Sequence, residues 1–176
     1  MVEISHIPRL PYLRAVVKET LRLHPPGPLL FPHMLVDVCK DLGGYVIPEG
    51  TRVLVNVWAI GRDPTVWKDP EMFIPERFLG DGPEGSMDVR GEHFEMIPFS
   101  GGRRGCPGLN LALPTIEVTL ANLVHMFGDW DPVLPPGQRS LNMPDEFSGI
   151  VCTHADPLGV VPKRRRPLYN IDVQGT

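Results

Sequence analysis

The residues of this chain best equipped for chemistry are crowded into 99–108, FSGGRRGCPG, where Cys106 stands among Arg103, Arg104 and the glycines Gly101, Gly102, Gly105 and Gly108. A cysteine serves as a lasting anionic ligand when its thiolate is stabilised by backbone amides, cationic neighbours or a helix N-terminus. All three are on offer here. The glycines let the backbone approach a flat partner and turn its amides toward the sulfur. The arginines add positive charge, and the apolar residues at helical spacing after Gly108 place Cys106 at the start of a helix. Two other thiol chemistries fit less well. An anion-binding loop of the phosphatase type needs its arginine after the cysteine, whereas both arginines precede it and Pro107 and Gly108 follow. A zinc site needs paired ligand spacings, and the 3 cysteines and 6 histidines of this chain are scattered.

The elements that must hold this loop are legible in outline. Leu13, Val16, Val17 and Leu21 recur at helical spacing and are followed by Pro25 and Pro26, which predicts a helix over 11–24. Glu19 and Arg22 share one face of it, where the plain reading is a surface ion pair worth about 0–1 kcal/mol. The segments 45–47 and 52–57 flank Pro48, Glu49, Gly50 and Thr51 and read as a β-hairpin over 45–57, with Val53, Val55 and Val57 on one side and Arg52, Leu54 and Asn56 on the other. Asp63 before Pro64 and Asp69 before Pro70 read as caps of short helices. The stretch 79–95 is dominated by glycine and acidic residues and reads as a solvated meander. A helix over 108–127 is expected to turn Leu111, Ile116, Leu120, Leu123 and Val124 to the core. Pro114 lies inside it, predicting a kink or a start near the proline. Irregular sequence follows, with 147–153 and 158–161 as short strands within β-hairpins at 128–167, and Lys163, Arg164, Arg165 and Arg166 as a solvated tail.

Three motifs agree in order and spacing. Phe99, Gly102, Arg104, Cys106 and Gly108 satisfy FxxGxRxCxG at every fixed position; Glu19 and Arg22 form ExxR within KETLR; and Pro75, Glu76, Arg77 and Phe78 spell PERF. On these residues the chain resembles the cytochrome P450 family, over about 10–167. The resemblance implies a mainly α fold with small β-sheets, of which this chain is the C-terminal portion and therefore incomplete. It also implies haem b, iron protoporphyrin IX, with Cys106 as the axial thiolate on the iron. Arg104 and His33 are implied to bind the haem propionates, with Phe99, Gly102 and Gly108 shaping the haem loop. Glu19, Arg22 and Arg77 are implied to form a buried network locking the haem-side core. Leu29, Leu30, Phe31, Phe147 and Ile150 fall where family members contact substrate, although as apolar residues they suit core packing equally.

The activity implied is monooxygenation of a small-molecule substrate with O2 and electrons from an NADPH-dependent partner, NADPH-cytochrome P450 reductase. The wording around 55–64 and 94–108 is similar to the large plant group acting on phenolic, flavonoid and terpenoid compounds. Two positions depart from the family pattern: Ser100, where glycine is usual and where a positive φ would strain a side chain, and Pro114. Nothing in the chain matches the acid/alcohol pair of the family's oxygen-binding helix. The alternatives are accordingly a non-catalytic haem-binding module or an unstable remnant.

Composition limits the rest. Net charge is −4, which suggests no nucleic-acid partner. Cys39, Cys106 and Cys152 form no paired framework, so a reducing compartment and free thiols are expected, and a Cys39–Cys152 disulfide finds little support. Glycine and proline number 18 and 21, favouring loops over long helices. No run approaches the roughly 20 apolar residues that cross a bilayer. The plant members that this chain resembles are usually held to the endoplasmic reticulum membrane by an N-terminal helix; with that helix expected to be absent here, the alternative is a cytoplasmic or unknown address.

Overall fold

Proline at the first helical position needs no amide partner, and two prolines beyond the last turn forbid continuation. Between them α1 forms over Pro11–Leu23. The structure is a computed structural model that describes residues 1–133, 145–148, 150–154 and 159–164. α1 buries Ala15, Val17 and Leu21 against Trp67, Phe78, Met87, Val89, Met96 and Leu113, which form the main core. Trp67 and Phe78 meet with ring centroids 6.0 Å apart at 59°, a tilted pair of the favoured kind. A smaller core joins Val2, Ile7 and Ala121; Ile7 comes from a 3₁₀ turn at Ile4–Arg9 that the sequence pattern had not announced. There the Asn122 side chain clasps one backbone unit, accepting from the Val2 amide at 2.8 Å and donating to its carbonyl at 2.9 Å.

The hairpin expected over 45–57 is corrected. β1 (His33–Met34) pairs antiparallel with β4 (Arg52–Val53), and β2 (Cys39–Leu42) pairs with β3 (Tyr45–Ile47), so the segments on either side of Pro48 belong to different sheets. The turn itself exists, with Thr51 donating to the Pro48 carbonyl. Leu35, however, bonds across it, donating to Thr51 and accepting from Gly50. The tighter hairpin is made at Gly43 and Gly44, both at positive φ, between β2 and β3. The alternation of Val53, Val55 and Val57 against exposed Arg52, Leu54 and Asn56 is present, but the strand stops at Val53. Asn56 then caps the single-turn α2 (Val57–Ile60), accepting from the Ala59 amide at 3.0 Å.

Asp63 and Asp69 cap no helix. The Asp63 carboxylate accepts from the Thr65 amide and hydroxyl, an Asx turn that competes with helix formation, and these bonds hold it below the usual carboxylate range. Asp69 sits at φ 48, in the left-handed region. A 3₁₀ turn covers Pro75–Phe78 and a short α3 covers Pro83–Ser86. The stretch 79–95 is less solvated than its composition suggested: Met87 and Val89 are buried in the main core. Period-based reasoning missed them because no repeat announces two apolar residues in an irregular segment.

α4 runs Leu109–Met126 with Pro114 inside it, so the helix does not start at the proline. At the next residue, the Thr115 hydroxyl donates to the Leu111 carbonyl at 2.6 Å, one turn back. The face assignment is corrected too. Leu113, Glu117 and Ala121 are buried and Leu120 is half-buried, while Leu111, Ile116, Leu123 and Val124 are exposed. A helix apolar nearly all round carries no periodic signal to choose its inward side. At the C-terminal end β5 (Phe127–Val133) pairs antiparallel with β8 (Gly159–Arg164), and β6 (Asp145–Ser148) pairs with β7 (Val151–His154). The single strand expected at 147–153 is therefore a hairpin. Lys163 and Arg164 lie in β8 rather than in a tail; Arg165 and Arg166 fall outside the described residues.

Candidate functional site

The loop 99–108 folds back on itself through two backbone bonds. The Cys106 amide donates to the Phe99 carbonyl at 2.9 Å, and the Gly105 amide to the Gly102 carbonyl at 3.1 Å. Gly102 opens a 3₁₀ turn to Arg104 at φ 65. Ser100 adopts φ 64, so this side chain sits in the left-handed region where glycine is the natural occupant. Gly108 is the N-cap of α4, and a Cβ there would stand 3.7 Å from the Cys106 sulfur, an ordinary contact. Cys106 is exposed. Its sulfur accepts no hydrogen bond among the described residues, contrary to the expectation that loop amides turn toward it. The residue's own amide is spent on Phe99. What remains near the thiol is the N-terminus of α4 and the charge of Arg103 and Arg104.

An open pocket of about 340 Å³ lies over the thiol. Cys106, Arg104, Phe99, His33, Leu30, Phe31 and Ile150 all line it, brought from three separate parts of the chain. Leu30 is at φ 51, an unusual conformation for a bulky residue, and its amide is tied to the Gly27 carbonyl. The Cys152 amide donates to the Pro26 carbonyl at 2.8 Å, joining the β6–β7 hairpin to the segment after α1 so that Ile150 and Val151 close one side. Of the other sequence candidates, Gly102, Gly108 and Leu29 do not line the pocket. The Phe147 side chain falls outside what the structure describes. Pro26, Pro98 and Val151 join the lining without having been singled out. Each adjoins a residue or motif that was, and that adjacency was the available signal.

Glu19, Arg22 and Arg77 come together behind this loop, and the surface-pair reading of Glu19 and Arg22 fails. Both are buried, at 0% and 2% exposure. Arg22 grips the Glu19 carboxylate with Nε at 2.7 Å and Nη2 at 2.8 Å, a bidentate pair. The rest of its guanidinium donates to the carbonyls of Gly61, Pro70 and Met72. Glu19 also accepts from the Ile74 amide at 2.8 Å and from Arg77 Nε at 3.3 Å. Trp67 lies under both guanidinium groups, 5.2 Å from Arg22 and 5.8 Å from Arg77. Two participants went unseen in the sequence: Trp67, and Gly61, where any Cβ would collide with the Arg22 carbonyl.

A lone thiol at a largely apolar pocket that one guanidinium and one imidazole also line belongs to the class of sites suited to an apolar group with negatively charged substituents. Known proteins narrow that class. The sequence profile described as Cytochrome P450 matches residues 1–157. Ferruginol synthase of Isodon rubescens is 48% identical over 93% of this chain and 32% of its own length. Flavonoid 3'-monooxygenase of Arabidopsis thaliana is 48% identical over 93% of this chain and 31% of its own. A solved zebra fish cytochrome P450 with abiraterone superposes with a TM-score of 0.74 at 33% identity, covering 92% of this chain and 34% of that one. The chain belongs to the cytochrome P450 family. It spans about a third of the length of these relatives.

Haem is the group the family implies, and the residues present fit it. Among the described residues lining the pocket, Cys106 supplies a soft thiol suited to iron, Pro26, Leu30, Phe31, Phe99, Ile150 and Val151 supply apolar walls, and Arg104 and His33 supply donors of the kind that propionates would need. Among the described residues no helix is long and apolar enough to cross a membrane.

Proposed function

We propose that this chain supplies the thiolate side of a haem monooxygenase that hydroxylates a small apolar or phenolic plant metabolite with O2 and electrons from NADPH-cytochrome P450 reductase. The observation that carries the reading is the convergence of Cys106, Arg104, His33 and Phe99 on one apolar-walled pocket. Haem b, when bound, supplies the activation of dioxygen. The chain's own residues do the holding. Cys106 would hold the group through its thiolate, and the guanidinium fork of Arg104 would suit a propionate carboxylate, with His33 as a second donor. The apolar walls match the apolar faces of such a group. Leu30, Phe31 and Ile150, which line the pocket, are assigned to substrate. Glu19, Arg22 and Arg77 keep the loop's foundation rigid. The substrate class is supported by the names of the relatives, a ferruginol synthase and a flavonoid 3'-monooxygenase. Attachment of the whole protein to the endoplasmic reticulum membrane belongs to the same reading.

The test is the carbon monoxide difference spectrum of the haem-reconstituted, dithionite-reduced chain, with Cys106→Ser beside it. A strongly red-shifted Soret band that the serine variant abolishes is the expected result. An unshifted band in both chains, or no haem retained, would reject the assignment of Cys106.

A further inference from the structure

The residue that presses on the cysteine loop lies outside every motif. Gly91 stands in the irregular stretch after α3 at φ 84. A Cβ there would come within 2.8 Å of the Ser100 carbonyl oxygen and 2.9 Å of the Gly101 Cα. In the other direction, a Cβ on Gly101 would stand 3.2 Å from the Gly91 carbonyl oxygen. Two backbones therefore cross here with no side chain between them. Real Cβ atoms do not approach other atoms so closely, so any residue but glycine at 91 must push Ser100 and Gly101 away.

That displacement has an address. Ser100 is held by its amide bond to the Ile97 carbonyl at 2.9 Å, and Phe99, just before it, receives the Cys106 amide at 2.9 Å. The placement of 99–101 thus sets the placement of the thiol. Gly91 is itself well anchored: Val89, two residues earlier, is 0% exposed in the main core. Arg90 reaches the far end of the loop, donating from Nη1 to Asn110 Oδ1 at 3.0 Å on the first turn of α4. Residues 89–91 accordingly hold both ends of the cysteine loop, by backbone contact at the start and by one side-chain bond at the end. We propose that Gly91 is a positioning residue for Cys106, acting through the backbone of Ser100 and Gly101. This rests on the reading of Cys106 as the haem ligand.

The experiment compares the unmutated chain with Gly91→Asn and Gly44→Asn. Asparagine tolerates positive φ better than other residues that carry a Cβ, so it introduces the contact while limiting the backbone strain. Gly44, at φ 87 with nothing within 4 Å of a Cβ, supplies the same backbone demand far from the loop. The first readout needs no haem: the rate of alkylation of Cys106 by iodoacetamide, with Cys39 and Cys152 in the same chain as references. Gly91→Asn is expected to change the Cys106 rate relative to the references by at least about fivefold, equivalent to ~1 kcal/mol, because moving the thiol alters its stabilisation by the α4 N-terminus and the arginines, while Gly44→Asn leaves the ratio unchanged. An unchanged ratio in Gly91→Asn overturns the proposal, and so does acceleration of all three cysteines together, which marks general unfolding. The second readout is the carbon monoxide band. Its loss in Gly91→Asn but not in Gly44→Asn is expected. A band unshifted even in the unmutated chain, with the alkylation contrast intact, rejects the haem reading while leaving the contact between Gly91 and the thiol loop standing.

Discussion

Glu19 and Glu117 are both glutamates buried beside an arginine of α1, and they are not equivalent. Glu19 receives four donors, from Arg22 twice, from the Ile74 amide and from Arg77. Glu117, on α4, has Arg14 at 3.6 Å, and Arg14 is itself half in solvent. Burial pushes the Glu117 carboxyl above its ordinary value against the pull of Arg14, with Asp88 adding to the upward push and Arg90 opposing it. Across the same seam, burial holds Lys18 below the usual lysine range even though its ammonium donates to the Met87 carbonyl. The difference teaches that a nearby opposite charge does not by itself settle a buried carboxylate. Saturating its lone pairs with fixed donors does.

The comparison is broken most severely at Glu19. Glu19→Gln leaves Arg22 as a buried cation without its anion and is expected to cost about 3–5 kcal/mol, read as a lowered urea midpoint followed by tryptophan fluorescence. A loss below 1 kcal/mol would show that the network is not the foundation described here. Next comes Gly61→Ala, whose new methyl collides with the Arg22 carbonyl. Overpacking of that kind typically costs about 1–3 kcal/mol, and a neutral midpoint would mean that the segment after α2 yields freely. The smallest effect belongs to Glu117→Gln, which changes stability by less than about 1 kcal/mol at neutral pH but should alter its pH dependence. The raised value means that the folded chain keeps a proton the unfolded chain has released, so stability falls as pH rises from the ordinary carboxylate value through the raised one. Denaturation midpoints across that window should slope downward in the unmutated chain and flatten in the glutamine variant. An identical slope in both would assign it to another group.

The cysteine loop was readable because its chemistry is local, whereas the residues alone gave Glu19 and Arg22 as a surface pair and only the resemblance implied a buried network with Arg77, which lies far along the chain. Cys106, Arg104 and Gly102 must sit at fixed offsets for one short loop to present a thiol and a guanidinium together, and Glu19 and Arg22 must be three apart to share a helix face. α1 was likewise legible, since prolines bracket it and its apolar residues repeat at helical spacing. The pairing of β1 with β4 and of β2 with β3 was not, because a turn signal at Pro48 says where the chain reverses and nothing about which earlier strand has free donors. The inward face of α4 was hidden for a different reason: apolar residues on all sides leave the choice to whatever packs beside it.

By itself, the sequence determined the kind of site this protein builds, because ligand identity and loop geometry depend on residues adjacent in the chain. The tertiary structure alone decided that Glu19 is saturated and Glu117 is not, that Trp67 lies under two guanidinium groups, and that Gly91 touches the thiol loop. Each of these depends on atoms distant in sequence meeting at van der Waals range, and such meetings are set by the packing of the whole core.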